Sequence, residues 1–144
     1  MLIAIDTSVL VAAAVAVHPD HERAAESFAG ARSEGNSACV SLHAMAETYS
    51  VLTKLPLVDR ILPPAARAYL AALRGFVSTV AITEPMYLEA LDRCATRGLG
   101  SGAVFDAIHL VAAEAAGAEL MLTFNERDFS RLATTGSPRV ASSV

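Results

Sequence analysis

Short apolar segments alternate with longer amphipathic segments along the chain. The apolar segments are too short for helices and carry almost no charge, which is typical of buried strands. They predict four strands and a weaker fifth one, at residues 2–5, 37–41, 78–82, 120–123 and 139–141. The intervening segments, with Asp, Thr or Pro at their starts and Pro or Gly near their ends, predict helices from Ser8 and at residues 19–32, 43–55, 62–74, 83–97, 101–117 and 126–132.

This alternation predicts a parallel sheet that is covered by helices on both faces. The chain has 144 residues, the usual size of one domain, and contains no internal repeat, low-complexity tract or linker. We therefore expect an α/β fold: a single domain over residues 1–144, with a mostly parallel sheet of four to five strands between helices. In the 43–55 helix, we expect Ala46, Tyr49, Val51 and Leu52 to face the core.

Composition narrows the class of protein. A hydrophobic content of 53% with 18% charged residues excludes a disordered chain. The net charge of −4 gives no overall attraction for nucleic acid, so contacts to phosphates would have to come from local arginines and metal ions.

Cys39 and Cys94 show no motif spacing, so no disulfide framework is predicted and a reducing cytoplasm is the expected location. Residues 9–17 form an unbroken apolar stretch, but no Lys or Arg precedes it and it is too short to span a bilayer. We expect a cytoplasmic protein with no membrane contact.

Acidic or near-acidic residues lie where several of these segments end. Asp6 follows the first strand, Glu47 lies in the helix after the second, and Asp106 lies in the helix before the fourth. Asn125 and Asp128 follow the fourth strand. Because sites in parallel sheets form outside the carboxyl ends of the strands, all of them could meet at one edge. Carboxylates about 5 Å apart repel by roughly 3 kcal/mol, which a cation would relieve, and oxygen ligands suit Mg²⁺ or Mn²⁺.

Each of these residues also has a structural interpretation. Asp6, considered alone, could simply cap the helix that begins near Ser8. Glu47 and Asp128 could be solvated helix residues, whereas Asp106 has apolar neighbours on both sides. The combination, rather than any single residue, predicts a metal-dependent nuclease that hydrolyses phosphodiester bonds.

Other polar residues give weaker signals. His109 lies one helical turn after Asp106 and either orients that carboxylate, touches substrate, or is a partly buried histidine satisfied by hydrogen bonds, which we favour. Arg127 and Arg131 share a helix face near Asn125 and are candidates for RNA contact. Arg93, with Arg97 and Glu89, predicts an exposed ion-pair face, and the glycines at 98, 100 and 102 predict a turn between helices.

Four motifs together resemble the PIN-domain ribonucleases, and among these the VapC-type toxins of bacterial toxin–antitoxin pairs. They occur in order over nearly the whole chain and read IAIDTSVL at residues 3–10, AE at 46–47, FDAIHL at 105–110 and LTFNERDF at 122–129. The resemblance implies a parallel-sheet α/β/α sandwich and an endoribonuclease that depends on Mg²⁺ or Mn²⁺.

By position in the motifs, the resemblance assigns metal binding to Asp6, Glu47 and Asp106. It assigns supporting roles to Ser8 and Thr123, which would orient an acid or bind the metal through water. The fourth acidic position of the family falls on Asn125 here. Because of this departure, either Asn125 or Asp128 could complete the site. The number of metal ions, one or two, also stays open.

The resemblance also implies a VapB-like antitoxin and a toxin homodimer, for which the helices at 43–55 and 63–76 offer apolar surface. The leading hypothesis is thus a toxin that hydrolyses RNA internally with a metal-activated water. The alternative is a catalytically weak PIN-like module that binds RNA or a protein. A phosphatase with Asp6 as nucleophile is disfavoured, because such sites place a second Asp two residues later and this chain has Ser8.

Overall fold

The computed structural model describes residues 1–144. Its strands are β1 (Leu2–Ile5), β2 (Ser37–Ser41), β3 (Ser78–Val80), β4 (Leu120–Leu122) and β5 (Arg139–Ala141). Its helices are α1 (Thr7–Ala14), α2 (His21–Ala31), α3 (Leu42–Lys54), α4 (Pro63–Leu73), α5 (Glu84–Thr96), α6 (Ala103–Ala115) and α7 (Glu126–Leu132). None of these helices combines the length and the hydrophobicity that crossing a bilayer requires.

The strands form one sheet in the order β3-β2-β1-β4-β5, and all neighbours are parallel. β1 is the central strand, with Ile5 opposite Leu122 of β4 and Ala4 opposite Cys39 of β2. The segments that follow β1, β2 and β4 therefore emerge side by side at one edge. The predicted α/β fold is confirmed, and the sheet has five strands and is parallel throughout.

Alternating residues of the strands build two cores, one on each face of the sheet. On β1, Ile3 and Ile5 face the layer formed by α1, α2 and α4, whereas Ala4 faces the layer formed by α5, α6 and α7. Fully buried side chains on both faces, such as Leu10 and Leu110, each stabilise the fold by about 1.5–3 kcal/mol. This packing fixes the edge where the polar residues emerge.

Two glycines end helices α5 and α6. Gly98 follows α5 with φ of 65°, and Gly117 follows α6 with φ of 73°. Glycine adopts this left-handed conformation without a steric penalty, which is why it commonly terminates helices. The turn between α5 and α6 was correctly predicted from the glycine series.

The buried face of α3 differs from the prediction. Ala46 and Tyr49 are exposed, and the residues that meet the core are Ala44, Thr48 and Leu52. The row of residues four apart faces α1, α4 and α6, and this row contains the polar Thr48. The apolar Ala46 and Tyr49 instead face a groove between α3 and α4. Of the four residues expected to face the core, Leu52 is buried and Val51 packs partly buried beside it, so the prediction was wrong for Ala46 and Tyr49.

Candidate active site

Asp6 lies at the carboxyl end of the central strand. Its backbone N–H donates to the carbonyl of Leu122 (3.0 Å), which continues the β1–β4 pairing beyond both strands. Its side chain is 2% exposed and caps α1 by accepting a hydrogen bond from the Ser8 N–H (3.2 Å). The capping interpretation of Asp6 is therefore confirmed, and it is compatible with a role in the site.

Two hydroxyl groups orient the Asp6 carboxylate. Ser8 Oγ donates to Oδ2 at 2.6 Å, and the buried Thr123 Oγ1 donates to the same oxygen at 2.8 Å. Thr123 is adjacent because it follows β4 directly, rather than ending that strand as predicted. With the Ser8 N–H, Oδ2 accepts three hydrogen bonds and Oδ1 accepts none. Oδ1 is thus the oxygen free to bind a ligand.

Glu47 is held by His109 rather than standing free. His109 Nε2 lies 2.8 Å from Glu47 Oε2, and Thr7 Oγ1 donates to the same oxygen at 3.3 Å. His109 Nδ1 lies 2.9 Å from Ser41 Oγ, which also accepts from the Ala44 N–H. This network fits a tautomer in which Nδ1 accepts and Nε2–H donates to Glu47. The hydrogen bond from His109 holds the pKa of Glu47 below its ordinary value.

His109 is 3% exposed, so the predicted buried and hydrogen-bonded histidine is confirmed. The carboxylate that it contacts is Glu47, on another helix, and not Asp106 on its own helix. Sequence spacing could not reveal this contact, because 62 residues separate His109 from Glu47.

Asp106 is half-buried near the start of α6, and its negative charge is not balanced by a hydrogen-bond donor or a cation. No hydrogen bond or ion pair joins its carboxylate to another side chain. Burial, and after it the negative charge of Asp6, raises its pKa to about 7, with smaller contributions from Asp128 and Glu47. His109 acts on this pKa in the opposite direction. A carboxyl group in this state favours a nearby cation.

The two candidates for the fourth acidic position lie in different surroundings. Asn125 is the exposed N-cap residue of α7, and its N–H donates to Thr123 Oγ1 at 3.0 Å. Asp128 lines a cavity of about 320 Å³ together with Asp106 and Arg131. Asp128 and Arg131 form a loose ion pair at 3.9 Å. Arg127 is exposed and does not line this cavity.

The donor chemistry fits a hydrated divalent cation, although the acids do not form a compact cluster. No three His, Cys, Asp or Glu side chains are grouped closely enough to hold a metal ion by themselves. Mg²⁺ in proteins commonly uses one or two carboxylates and retains several waters. The uncompensated Asp106 carboxylate and the free Oδ1 of Asp6 match that requirement, and Glu47 is directed towards His109.

Outside the site, Arg93 is not part of the exposed face that was predicted. Its side chain is 7% exposed and donates to Glu89 and to both carboxylate oxygens of Glu114. Arg97 donates to the backbone carbonyls of Arg131, in the last turn of α7, and of Ala133, just after it. The ion pairing was correctly predicted, but its exposure was wrong, because Arg93 links α5 to the end of α6. Cys39 and Cys94 are both buried and free.

Comparison with known proteins agrees with this geometry. A family model for the PIN domain matches residues 3–134. The Mycobacterium tuberculosis protein named ribonuclease VapC40 is 42% identical over 129 residues, covering 83% of this chain and 84% of that protein. Mycobacterium tuberculosis VapC20, described as a sarcin–ricin loop cleaving toxin, has a similar fold with a TM-score of 0.75, at 22% identity over 94% of this chain and 99% of that one.

A second structure of similar fold is Rickettsia felis VapBC2 bound to a DNA fragment from its promoter. Its TM-score is 0.71 at 18% identity, and the match covers 98% of each chain. The family model spans nearly the whole sequence, and the identity to ribonuclease VapC40 is high over most of both chains. The chain therefore belongs to the PIN-domain family and is of the VapC type.

Proposed function

We propose that this protein is a metal-dependent endoribonuclease that acts as the toxin of a toxin–antitoxin pair. The proposal rests on two carboxylates that influence each other electrostatically. The carboxylate of Asp106 accepts no hydrogen bond from another side chain, and Oδ1 of Asp6 accepts none either, so both can bind a cation. The relative with 42% identity is named a ribonuclease, which supports RNA as the substrate. Mg²⁺ is the proposed ion, with Mn²⁺ as the substitute, because all the candidate ligands are oxygen atoms.

Each side chain has a distinct task in this proposal. Asp6 and Asp106 would hold the ion. The ion, when bound, supplies positive charge to the phosphate and lowers the pKa of water. Ser8 and Thr123 keep Asp6 in one orientation, so that Oδ1 faces the ligand. His109 fixes Glu47 through Oε2, which leaves Oε1 to accept a hydrogen bond from the attacking water.

For the fourth position we propose Asp128 rather than Asn125. Asp128 shares a cavity with Asp106, and its charge contributes to the raised pKa of Asp106. Both residues are exposed, but Asn125 does not line that cavity and contacts Thr123 through its backbone N–H. Arg131 lines the same cavity and is our candidate for a phosphate contact, whereas Arg127 would meet RNA only at the surface.

The proposed partner is a VapB-like antitoxin. Two of the solved structures with a similar fold are VapBC assemblies, from Rickettsia felis and from Haemophilus influenzae. A groove of about 610 Å³ between α3 and α4 is mostly apolar and also contains Arg67 and Arg74. It would suit an amphipathic segment with acidic residues. A homodimer remains part of the proposal, and a short neighbouring reading frame for a DNA-binding protein would support the toxin role.

The test is cleavage of single-stranded and structured RNA with Mg²⁺ or Mn²⁺, with and without EDTA. Asp6→Asn and Asp106→Asn should abolish metal-dependent cleavage. Asp59→Asn is the matched control because Asp59 is an exposed loop carboxylate that lines neither of the cavities beside Asp106 and Glu47. Full activity of either active-site variant would contradict the assignment. RNA binding without metal-dependent turnover would instead favour the alternative, a binding module.

A further inference from the structure

Two aromatic rings form a stacked pair next to Glu47. The ring centroids of His43 and Phe105 are 5.3 Å apart, with an angle of 18° between their planes. His43 lies one helical turn before Glu47 on α3, and Phe105 immediately precedes Asp106 on α6. Phe105 is 44% exposed although it is stacked on His43, so a large part of its ring is accessible to a ligand.

The stacked pair forms part of a small cavity with mixed chemistry. The cavity has a volume of about 300 Å³, at the lower end of the range for ligand pockets, and is lined by His43, Glu47, Ser50, Val51, Lys54 and Phe105. It thus combines an aromatic wall, an apolar side chain, a cation and the candidate acid. Neither the metal nor the phosphate chemistry proposed above uses the aromatic wall.

The rings are also linked to the acid. His43 lies 5.5 Å from His109 at an angle of 52°, and His109 holds Glu47 at 2.8 Å. A stacked pair of flat rings offers an aromatic surface on which a further flat ring can stack.

We infer that this cavity is a nucleobase subsite, in which an unpaired base of the RNA stacks on Phe105 beside the bond that is cleaved. The inference rests on the proposed ribonuclease function. Lys54 would contact the phosphate that follows the stacked base. Phe105 lines this cavity and the next residue, Asp106, lines the cavity that contains Arg131, so the start of α6 contributes to both. A ligand that spans both cavities must alternate flat rings with anionic groups, as single-stranded RNA does.

The experiment compares Phe105→Leu with Phe105→Trp and with the control Phe76→Leu. Phe76 is also an exposed phenylalanine, at 52%, but it precedes β3 at the opposite edge of the sheet and stacks under Arg32. The probe is a short single-stranded oligoribonucleotide that contains 2-aminopurine, whose fluorescence falls on stacking. Binding is measured in EDTA, so that no cleavage occurs.

We expect the wild-type protein to bind the probe and to quench its fluorescence. Phe105→Leu should weaken binding by about 10-fold, as expected for the loss of one stacked base, and should lose most of the quenching. Phe105→Trp should retain both properties, and Phe76→Leu should behave as the wild type does. The thermal unfolding midpoint of each variant shows whether it is folded. Binding that is lost in a folded Phe105→Leu and kept in Phe105→Trp reports the loss of stacking.

The outcomes separate the subsite from the proposed function. Equal affinity and quenching in Phe105→Leu would overturn the subsite, even if RNA is cleaved with Mg²⁺. Failure of the wild-type protein to bind the probe would also overturn it. Phenylalanine-dependent quenching without cleavage in Mg²⁺ or Mn²⁺ would support the subsite and contradict the nuclease function.

Discussion

Replacing Asp106 by Asn should stabilise the metal-free protein near neutral pH. In the folded protein the pKa of Asp106 is raised from 3.8 to about 7. A rise of roughly 3 in pKa corresponds to about 4 kcal/mol if the carboxyl group is fully shielded from water. Because Asp106 is only half-buried, solvent screening reduces this value, and we expect a gain of about 1–2 kcal/mol.

The pH dependence follows from proton linkage. Folded Asp106 keeps its proton up to a higher pH than unfolded Asp106 does. Its favourable contribution is therefore complete below about pH 4 and is lost as the pH rises through about 7. The amide of the variant does not titrate, so the stability difference between Asp106→Asn and wild type should grow across this window and then level off.

The assay is urea unfolding in EDTA at about pH 4.5 and about pH 8, on either side of most of this window. Asp59→Asn is the control, since Asp59 is an exposed carboxylate in a loop and should show no comparable pH-dependent gain. Adding Mg²⁺ at the higher pH should stabilise the wild type by about 2.7 kcal/mol at a hundredfold excess over its Kd. The same addition should stabilise Asp106→Asn much less.

Two results would refute this reasoning. If the stability difference were the same at both pH values, Asp106 would not be an uncompensated carboxylate in the folded protein. If Mg²⁺ stabilised the variant and the wild type equally, Asp106 would not be a ligand of the ion.

Three further predictions concern packing and hydrogen bonding. Leu52→Ala should cost about 2–5 kcal/mol in urea unfolding because Leu52 is fully buried, whereas Tyr49→Ala should cost under about 0.5 kcal/mol; equal costs would contradict the α3 face. Thr123→Val removes a donor to Asp6 and should cost about 1–3 kcal/mol and slow RNA cleavage; unchanged cleavage would argue against its supporting role. Glu114→Gln should lower the free energy of unfolding by about 3 kcal/mol, because the buried guanidinium of Arg93 loses one of its two carboxylate partners. A loss below about 1 kcal/mol, the value of a surface ion pair, would contradict this.

Much of the fold could be predicted because its signals are local. The bounds of β1, β2, β5 and α7 agree with the prediction, since short apolar runs in this chain are bounded by polar or turn residues. The face of α3 could not be predicted in the same way. Its buried side is determined by which helices pack against it, and tertiary contact places the polar Thr48 inside and the apolar Tyr49 outside.

The candidate site was predictable as a set of positions but not as a set of contacts. Asp6 and Thr123 meet because β1 and β4 are neighbours in the sheet, which agrees with the expected convergence at its carboxyl edge. The His109–Glu47 bond joins two helices, and no sequence period relates them. The same is true of the stacked His43 and Phe105. Contacts between helices depend on their packing angles, which the pattern of residues along each helix does not determine.

The three acids differ in how the fold compensates their charges, and this difference constrains how loss of activity can be interpreted. Asp6 receives three hydrogen bonds and Glu47 is held by His109, whereas Asp106 has no donor and a raised pKa. The energy that a cation releases on binding should therefore depend mainly on Asp106. Since Asp106→Asn should make the metal-free protein more stable, a loss of RNA cleavage in that variant cannot be attributed to unfolding and must reflect the missing carboxylate.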